Sequence, residues 1–162
     1  MPFAVRYPGV TPKGGSSQII FAAVDIYPTL CGLAGIPVPK HCAGRDLSAV
    51  MRGQKVDAPR FTYLMNGRGG RGGPAGAPNG DEGGRGNNML HPTYRGIRTE
   101  RYTYAVLENA RWLLHDNLAD PYQMKNLVND PAQKALMESF DAQLRDWVRS
   151  TGDSFAYPAT FA

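Results

Sequence analysis

Cysteine and histidine are scarce in this chain of 162 residues, which holds two of the first, Cys31 and Cys42, and three of the second. Neither cysteine falls in a Cys-x-x-Cys pair or beside a histidine cluster, so the common zinc spacings are excluded. The two could pair with each other, although buried or free thiols are the reading their positions favour. Long apolar runs are missing too: none approaches the roughly 18 residues of a membrane span. The opening Met1-Pro2-Phe3-Ala4-Val5-Arg6-Tyr7 carries no charged leader followed by an apolar stretch. Nor does charge of one sign dominate. The formal net charge is +4 and the isoelectric point about 9.2, with lysine and arginine scattered among carboxylates. Such a surface is a soluble one, and neither a nucleic-acid nor a membrane partner is expected from it.

What is present reads as two regions, 1–57 and 58–162. In the first, 3–7 is a candidate strand stopped by Pro8-Gly9, and the apolar run 18–24 suits a strand buried on both faces of a parallel sheet. Asp25 then offers a helix cap, Pro28 suits a first turn, Leu30, Leu33 and Ala34 recur at helical spacing, and Gly35 ends the run. After a loop with Pro37, Pro39 and Gly44, residues 46–51 give about one helical turn closed by Gly53. Strand, capped helix and loop in succession belong to an α/β layer structure.

In the second region, 61–65, 94–99, 102–106 and 112–115 read as four strands of an antiparallel meander. Tyr102, Tyr104 and Val106 share one face and Arg101, Thr103 and Ala105 the other. Residues 67–86, half glycine, cannot bury enough apolar surface to offset ordering and are expected to form a mobile loop. The end is punctuated as a helix: Asp130 caps, Pro131 takes the first position, and Leu136, Met137, Phe140, Leu144, Trp147 and Val148 form one stripe before Gly152. A stripe of that kind packs on one face of the meander.

Several segments, in order, resemble the formylglycine-dependent sulfatase family of arylsulfatase and N-sulfoglucosamine sulfohydrolase type, in its C-terminal part. They are Met1 to Val10, with its apolar-Pro-apolar entry and Arg-aromatic-Pro-Gly exit, and Val24-Asp25-Ile26-Tyr27-Pro28-Thr29-Leu30. Next come Gly44-Arg45-Asp46-Leu47, with Asp46 for the usual serine, and the hairpin Arg95-Gly96-Ile97-Arg98-Thr99-Glu100-Arg101-Tyr102-Thr103-Tyr104, with Thr103 for the usual lysine. The closing motif of the family, Leu-Tyr-Asp-Leu, Asp-Pro-x-Glu, Asn-Leu, is matched from Leu114 to Leu127, with His115 and Gln123 as departures. Each match alone is a helix start, a strand face or a turn; their order and spacing carry the resemblance.

The resemblance implies an α/β fragment of the alkaline phosphatase-like superfamily. It would comprise the last elements of the parallel core (1–57) and a C-terminal α+β subdomain (58–162) of a four-stranded antiparallel sheet with a packed helix. It implies a sulfuric ester hydrolase acting on a sulfated carbohydrate or aryl sulfate, periplasmic or extracellular in its full-length form. Family chemistry requires a formylglycine made from a Cys/Ser-x-Pro/Ala-x-Arg motif and a calcium ion held by Asp and Asn. Cys31-Gly-Leu-Ala-Gly and Cys42-Ala-Gly-Arg-Asp do not fit that motif, and paired aspartates are missing. Nucleophile, metal ligands and the N-terminal core are therefore expected upstream, and the chain alone is expected to be inactive. His91 and Arg95 are the candidates for holding an anionic sugar, the first by hydrogen bonding and the second through its planar fork. Two other readings remain: a phosphodiesterase or phosphonate monoester hydrolase of the same superfamily, and RNA binding through Arg68-Gly69-Gly70-Arg71-Gly72-Gly73.

Overall fold

The computed structural model describes residues 3–57, 60–66, 92–158 and 161. Two units divide the chain, Met1–Thr62 and Tyr63–Ala162.

In the first unit, helix α1 (Ile26–Ala34) is entered through a 3-10 turn and ended by Gly35 in the left-handed conformation, φ 70°. Gly35 fits there because it lacks a Cβ. Asp25 does not cap α1 as its sequence position suggests. Its Oδ2 instead accepts the Ala22 N–H at 2.9 Å, and its Oδ1 accepts the Arg45 N–H at 2.8 Å, which ties the loop after α1 to the helix start. Thr29, fully buried, continues that seam: its Oγ1 accepts the Leu47 N–H at 3.0 Å and donates to the Arg45 carbonyl at 3.4 Å. The approach requires glycine, since a Cβ on Gly44 would stand 1.9 Å from the Val24 carbonyl oxygen. A short helix α2 (Ser48–Met51) follows, with Asp46 Oδ1 accepting the Ser48 N–H at 2.8 Å.

Residues 3–7 and 18–24, expected as strands, are not strands: 3–7 and 18–22 carry no regular structure and 23–25 form the 3-10 turn. The physical reason is that strand character requires a neighbouring backbone to bond with, and none pairs with them among the described residues. What holds the two stretches together is a side-chain contact, Phe3 stacked on Phe21 with centroids 4.4 Å apart.

The second unit is built on β1 (Phe61–Asn66), β2 (Tyr94–Thr99), β3 (Tyr102–Val106) and β4 (Arg111–Asp116), in the order β1-β2-β3-β4. β2, β3 and β4 are antiparallel, with Ile97, Tyr104 and Leu114 in one cross-strand row and Arg98, Thr103 and His115 in the next. Adjacent rows point to opposite faces. The first row is fully buried, and α3 (Lys134–Thr151) covers it: Phe140 lies on Tyr104 at 5.6 Å and Trp147 stacks on Tyr63 at 4.3 Å. Met137, Phe140, Leu144 and Val148 are buried as one stripe, each contributing on the order of 1.5–3 kcal/mol. Asp130 caps the helical entry by accepting the Ala132 N–H at 2.9 Å, and Gly152 closes α3 at φ 65°. Both ends are where the sequence punctuation puts them.

Candidate functional site

Arg95, in β2, is 5% exposed, and its guanidinium is taken up within the fold. Nε and Nη2 meet the two carboxylate oxygens of Asp153 at 2.6 and 2.8 Å, Nη1 donates to the carbonyls of Asn66 and Tyr94, and the plane lies over the Phe155 ring at 4.7 Å. The fork-on-fork pair holds the Asp153 carboxyl below its ordinary value of 3.8. Arg95 therefore fastens the segment after α3 to β2. His91 lies outside the described residues, as do the glycine-rich stretch 67–86 and its Arg-Gly-Gly repeat.

A second cluster surrounds Asp141 of α3, which is 3% exposed. Its Oδ1 accepts the hydroxyls of Tyr104 at 2.5 Å and Tyr157 at 2.8 Å, while Oδ2 accepts Arg111 Nη2 at 2.6 Å and Nε at 3.1 Å. Burial first, and the adjacent carboxylate second, push both phenols far above their ordinary value of 10. Those tyrosines are hydrogen-bond donors and not acid–base groups. The cluster sits between helix, sheet and C-terminal segment, and its chemistry is that of a clamp.

On the sheet face opposite the Ile97–Tyr104–Leu114 row lies a third group. Arg98 Nη1 donates to Thr103 Oγ1 at 2.6 Å and to Asn117 Oδ1 at 3.0 Å. That amide oxygen also accepts Thr103 Oγ1 at 3.1 Å and Gln123 Nε2 at 2.8 Å. Asn117 is fixed in turn by two bonds to the Arg101 carbonyl, 2.6 Å from its N–H and 2.9 Å from Nδ2. Gln123 adopts φ 55°, the one positive φ outside glycine among the described residues. This group escaped the sequence reading. The signal was there, since Thr103 and Gln123 are two of the departures from the family pattern, but their meeting depends on register and on the fold of 117–123.

The other chemistry-bearing side chains do not converge. Cys31 is buried, Cys42 half-buried, and both are free thiols. Among the described residues no three of His, Cys, Asp and Glu come together in a way that would hold a metal ion. No helix among the described residues is long and apolar enough to cross a membrane.

Comparison with known proteins gives consistent relatives. No family model matches the chain. Over 156 residues, 96% of the chain, it is 35% identical to an ulvan-active sulfatase of Formosa agariphila, covering 28% of that protein. Over 152 residues it is 29% identical to an endo-4-O-sulfatase of Bacteroides thetaiotaomicron, 86% of the chain and 28% of the relative. The chain thus spans less than a third of the length of these relatives. Among solved structures, one described as a complex with D-glucosamine-2-N,6-O-disulfate superposes with a TM-score of 0.70 at 21% identity, covering 96% of this chain and 29% of that one. A phosphonate monoester hydrolase of Agrobacterium radiobacter shares the fold at a TM-score of 0.55 and 22% identity, covering 78% and 24%.

Proposed function

Because this chain is the counterpart of the C-terminal part of the sulfatases, an alkaline phosphatase-like fold that ends in a four-stranded antiparallel sheet and a helix, we propose that it is the closing segment of a sulfuric ester hydrolase acting on a sulfated carbohydrate. The observation that carries the reading is the match to the ulvan-active sulfatase over 96% of the chain, with the endo-4-O-sulfatase agreeing in reaction class. The phosphonate monoester hydrolase likeness is one of fold alone and comes with a lower TM-score, so sulfate ester chemistry is preferred over phosphonate.

On this reading the reacting groups belong to polypeptide upstream. Hydrolysis of a sulfate ester needs an in-line nucleophile, positive charge on the sulfuryl oxygens and an acid for the leaving alcohol. Neither cysteine here stands in a modification motif. The first unit supports docking to such a core: Val24, Tyr27, Leu30 and Ile36 are apolar side chains 47–61% exposed, and the apolar stretches 3–7 and 18–22 have no strand partner among the described residues. Of the two sugar-binding candidates, Arg95 serves by anchoring the start of β2, and His91, four residues before it, is the group assigned to a sugar hydroxyl.

The chain alone, with or without calcium, should release no 4-nitrophenol from 4-nitrophenyl sulfate. Joined to the polypeptide encoded immediately upstream, it should release sulfate from a sulfated oligosaccharide, and that upstream sequence should contain Cys/Ser-x-Pro/Ala-x-Arg. Turnover by the isolated chain that survives repurification, or a joined protein active on phosphonate monoesters and inert on sulfate esters, overturns the reading.

A further inference from the structure

Four of the arginines in the second unit are each matched to a carboxylate: Arg95 to Asp153, Arg101 to Asp116, Arg111 to Asp141 and, at the surface, Arg149 to Asp146. Arg98 is not. No carboxylate oxygen stands within 4.0 Å of it among the described residues, although it is half-buried and held from the side by Thr103 and Asn117. Both of those partners are neutral, and both bonds use Nη1. The Nε and Nη2 hydrogens, three of the five donors of the fork, have no partner among the described residues.

A guanidinium stays charged at any pH the protein meets. Partial burial without a counter-charge costs free energy that a protein ordinarily recovers by pairing. Here the pairing position is occupied by an amide. In the family pattern the residue at 123 is glutamate, and in this chain Gln123 Nε2 donates to the same Asn117 oxygen that receives Arg98. Glutamine at that place removes a negative charge from the cradle and adds an N–H donor to it. Its left-handed backbone is a strained conformation for a residue with a Cβ, kept in place by the Gln123 N–H on the Asp120 carbonyl at 3.0 Å and by the side-chain bond to Asn117. The acids flanking Asn117 and Gln123 in sequence are already engaged, Asp116 by Arg101 and Asp120 by the backbone N–H of Lys125 at 2.7 Å, and Glu100, the acid nearest Arg98 in sequence, is exposed with no oxygen within 4.0 Å of the guanidinium.

We propose that Arg98, with the second Nε2 hydrogen of Gln123 beside it, anchors a binding site for one oxyanion, either the sulfate group of a sulfated sugar or free sulfate. Arg98 presents a planar pair of donors along Nε and Nη2, the geometry suited to two oxygens of a sulfuryl group, and the Asn117–Thr103 scaffold holds that fork in a fixed orientation. Preorganisation keeps the ordering cost of binding low. The inference rests on the geometry of the second unit and does not require the chain to act in ester hydrolysis.

The test is a nuclear magnetic resonance titration of the full chain, following the side-chain Nε–H of Arg98, with glucosamine 6-sulfate, sodium sulfate and unsulfated glucosamine at matched ionic strength. Both sulfate-bearing probes should move the resonance saturably and the unsulfated sugar should leave it in place. Tighter binding of glucosamine 6-sulfate than of sodium sulfate assigns the site to a glycan, and the reverse order assigns it to the free anion. Gln123→Glu supplies an internal carboxylate to the same cradle, retains the Arg98 resonance, and should weaken both sulfate-bearing probes at least tenfold while the chain stays folded. Absence of a saturable shift at Arg98, or sulfate affinity unchanged in Gln123→Glu, overturns the proposal.

Discussion

Replacing Asp141 by asparagine should destabilise the second unit by about 3 kcal/mol. The carboxylate is nine-tenths or more buried and accepts four hydrogen bonds, two from tyrosine hydroxyls on Oδ1 and two from Arg111 on Oδ2. An asparagine keeps the oxygen facing the tyrosines but turns an amide N–H₂ toward the guanidinium, leaving its charge without a counter-charge. Breaking a buried pair from one side costs about 3–5 kcal/mol, and the lower end applies because Arg111 retains 21% side-chain exposure. Both tryptophans, Trp112 and Trp147, belong to this unit, so urea unfolding followed by tryptophan fluorescence reads it selectively. With an m-value of about 1.5 kcal/mol per molar urea for a unit of this size, the midpoint should fall by about 2 M. The double variant Asp141→Asn with Arg111→Met removes both charges together while keeping an oxygen acceptor for the Tyr104 and Tyr157 hydroxyls, and it should recover more than half of that loss, because nothing charged is then left stranded. A midpoint shift equivalent to under 1 kcal/mol in Asp141→Asn, or simple additivity in the double variant, would refute the view of Asp141 as a clamp.

Acid sensitivity should follow from Asp153. Its folded value lies below 3.8, so its contribution through Arg95 is fully present above about that pH and is lost as the pH falls through the depressed value. Asp153→Asn should therefore lower stability at pH 7 and flatten its decline below pH 4; an acid limb identical to the parent chain would show that the pair contributes nothing. In the first unit, Gly44→Ala places a Cβ against the Val24 carbonyl and should open the seam around Thr29. Amide hydrogen exchange at Leu47 should accelerate about tenfold or more, equivalent to ~1.4 kcal/mol, and unchanged exchange would mean the loop relaxes without cost.

Helix ends and strand positions in the second unit were legible because their signals are local. Asp130, Pro131 and Gly152 mark α3 through their own backbone chemistry, and the alternation from Tyr102 to Val106 marks β3. Partners of buried charge were not legible. Arg95 and Asp153 are 58 residues apart, and Arg111 and Asp141 are 30 apart, with nothing in either neighbourhood that names the other. Arg95 reads in sequence as a fork for an anionic ligand, and in the fold the anion it holds is the chain's own Asp153. The same residue type reads oppositely at Arg98, where sequence placed only a strand residue and the fold leaves three donors without a partner among the described residues.

Residues 3–7 and 18–24 mark the other boundary of what sequence can say. Apolar content and length describe a segment that would be content between two strands, but pairing is a property of two backbones, and periodicity in one of them cannot supply the second. Both stretches keep their apolar character without strand geometry, and Phe3 meets Phe21 by ring contact. α1 differs because its hydrogen bonds run within the segment, from each N–H to a carbonyl four residues back, so it forms with Tyr27 and Leu30 still exposed. A parallel sheet added alongside would meet backbone that has no strand partner among the described residues and an apolar helix face together. That coincidence is what a core of relatives more than three times this chain's length would provide, and it is why the helix of the first unit could be read from its own residues while its strands could not.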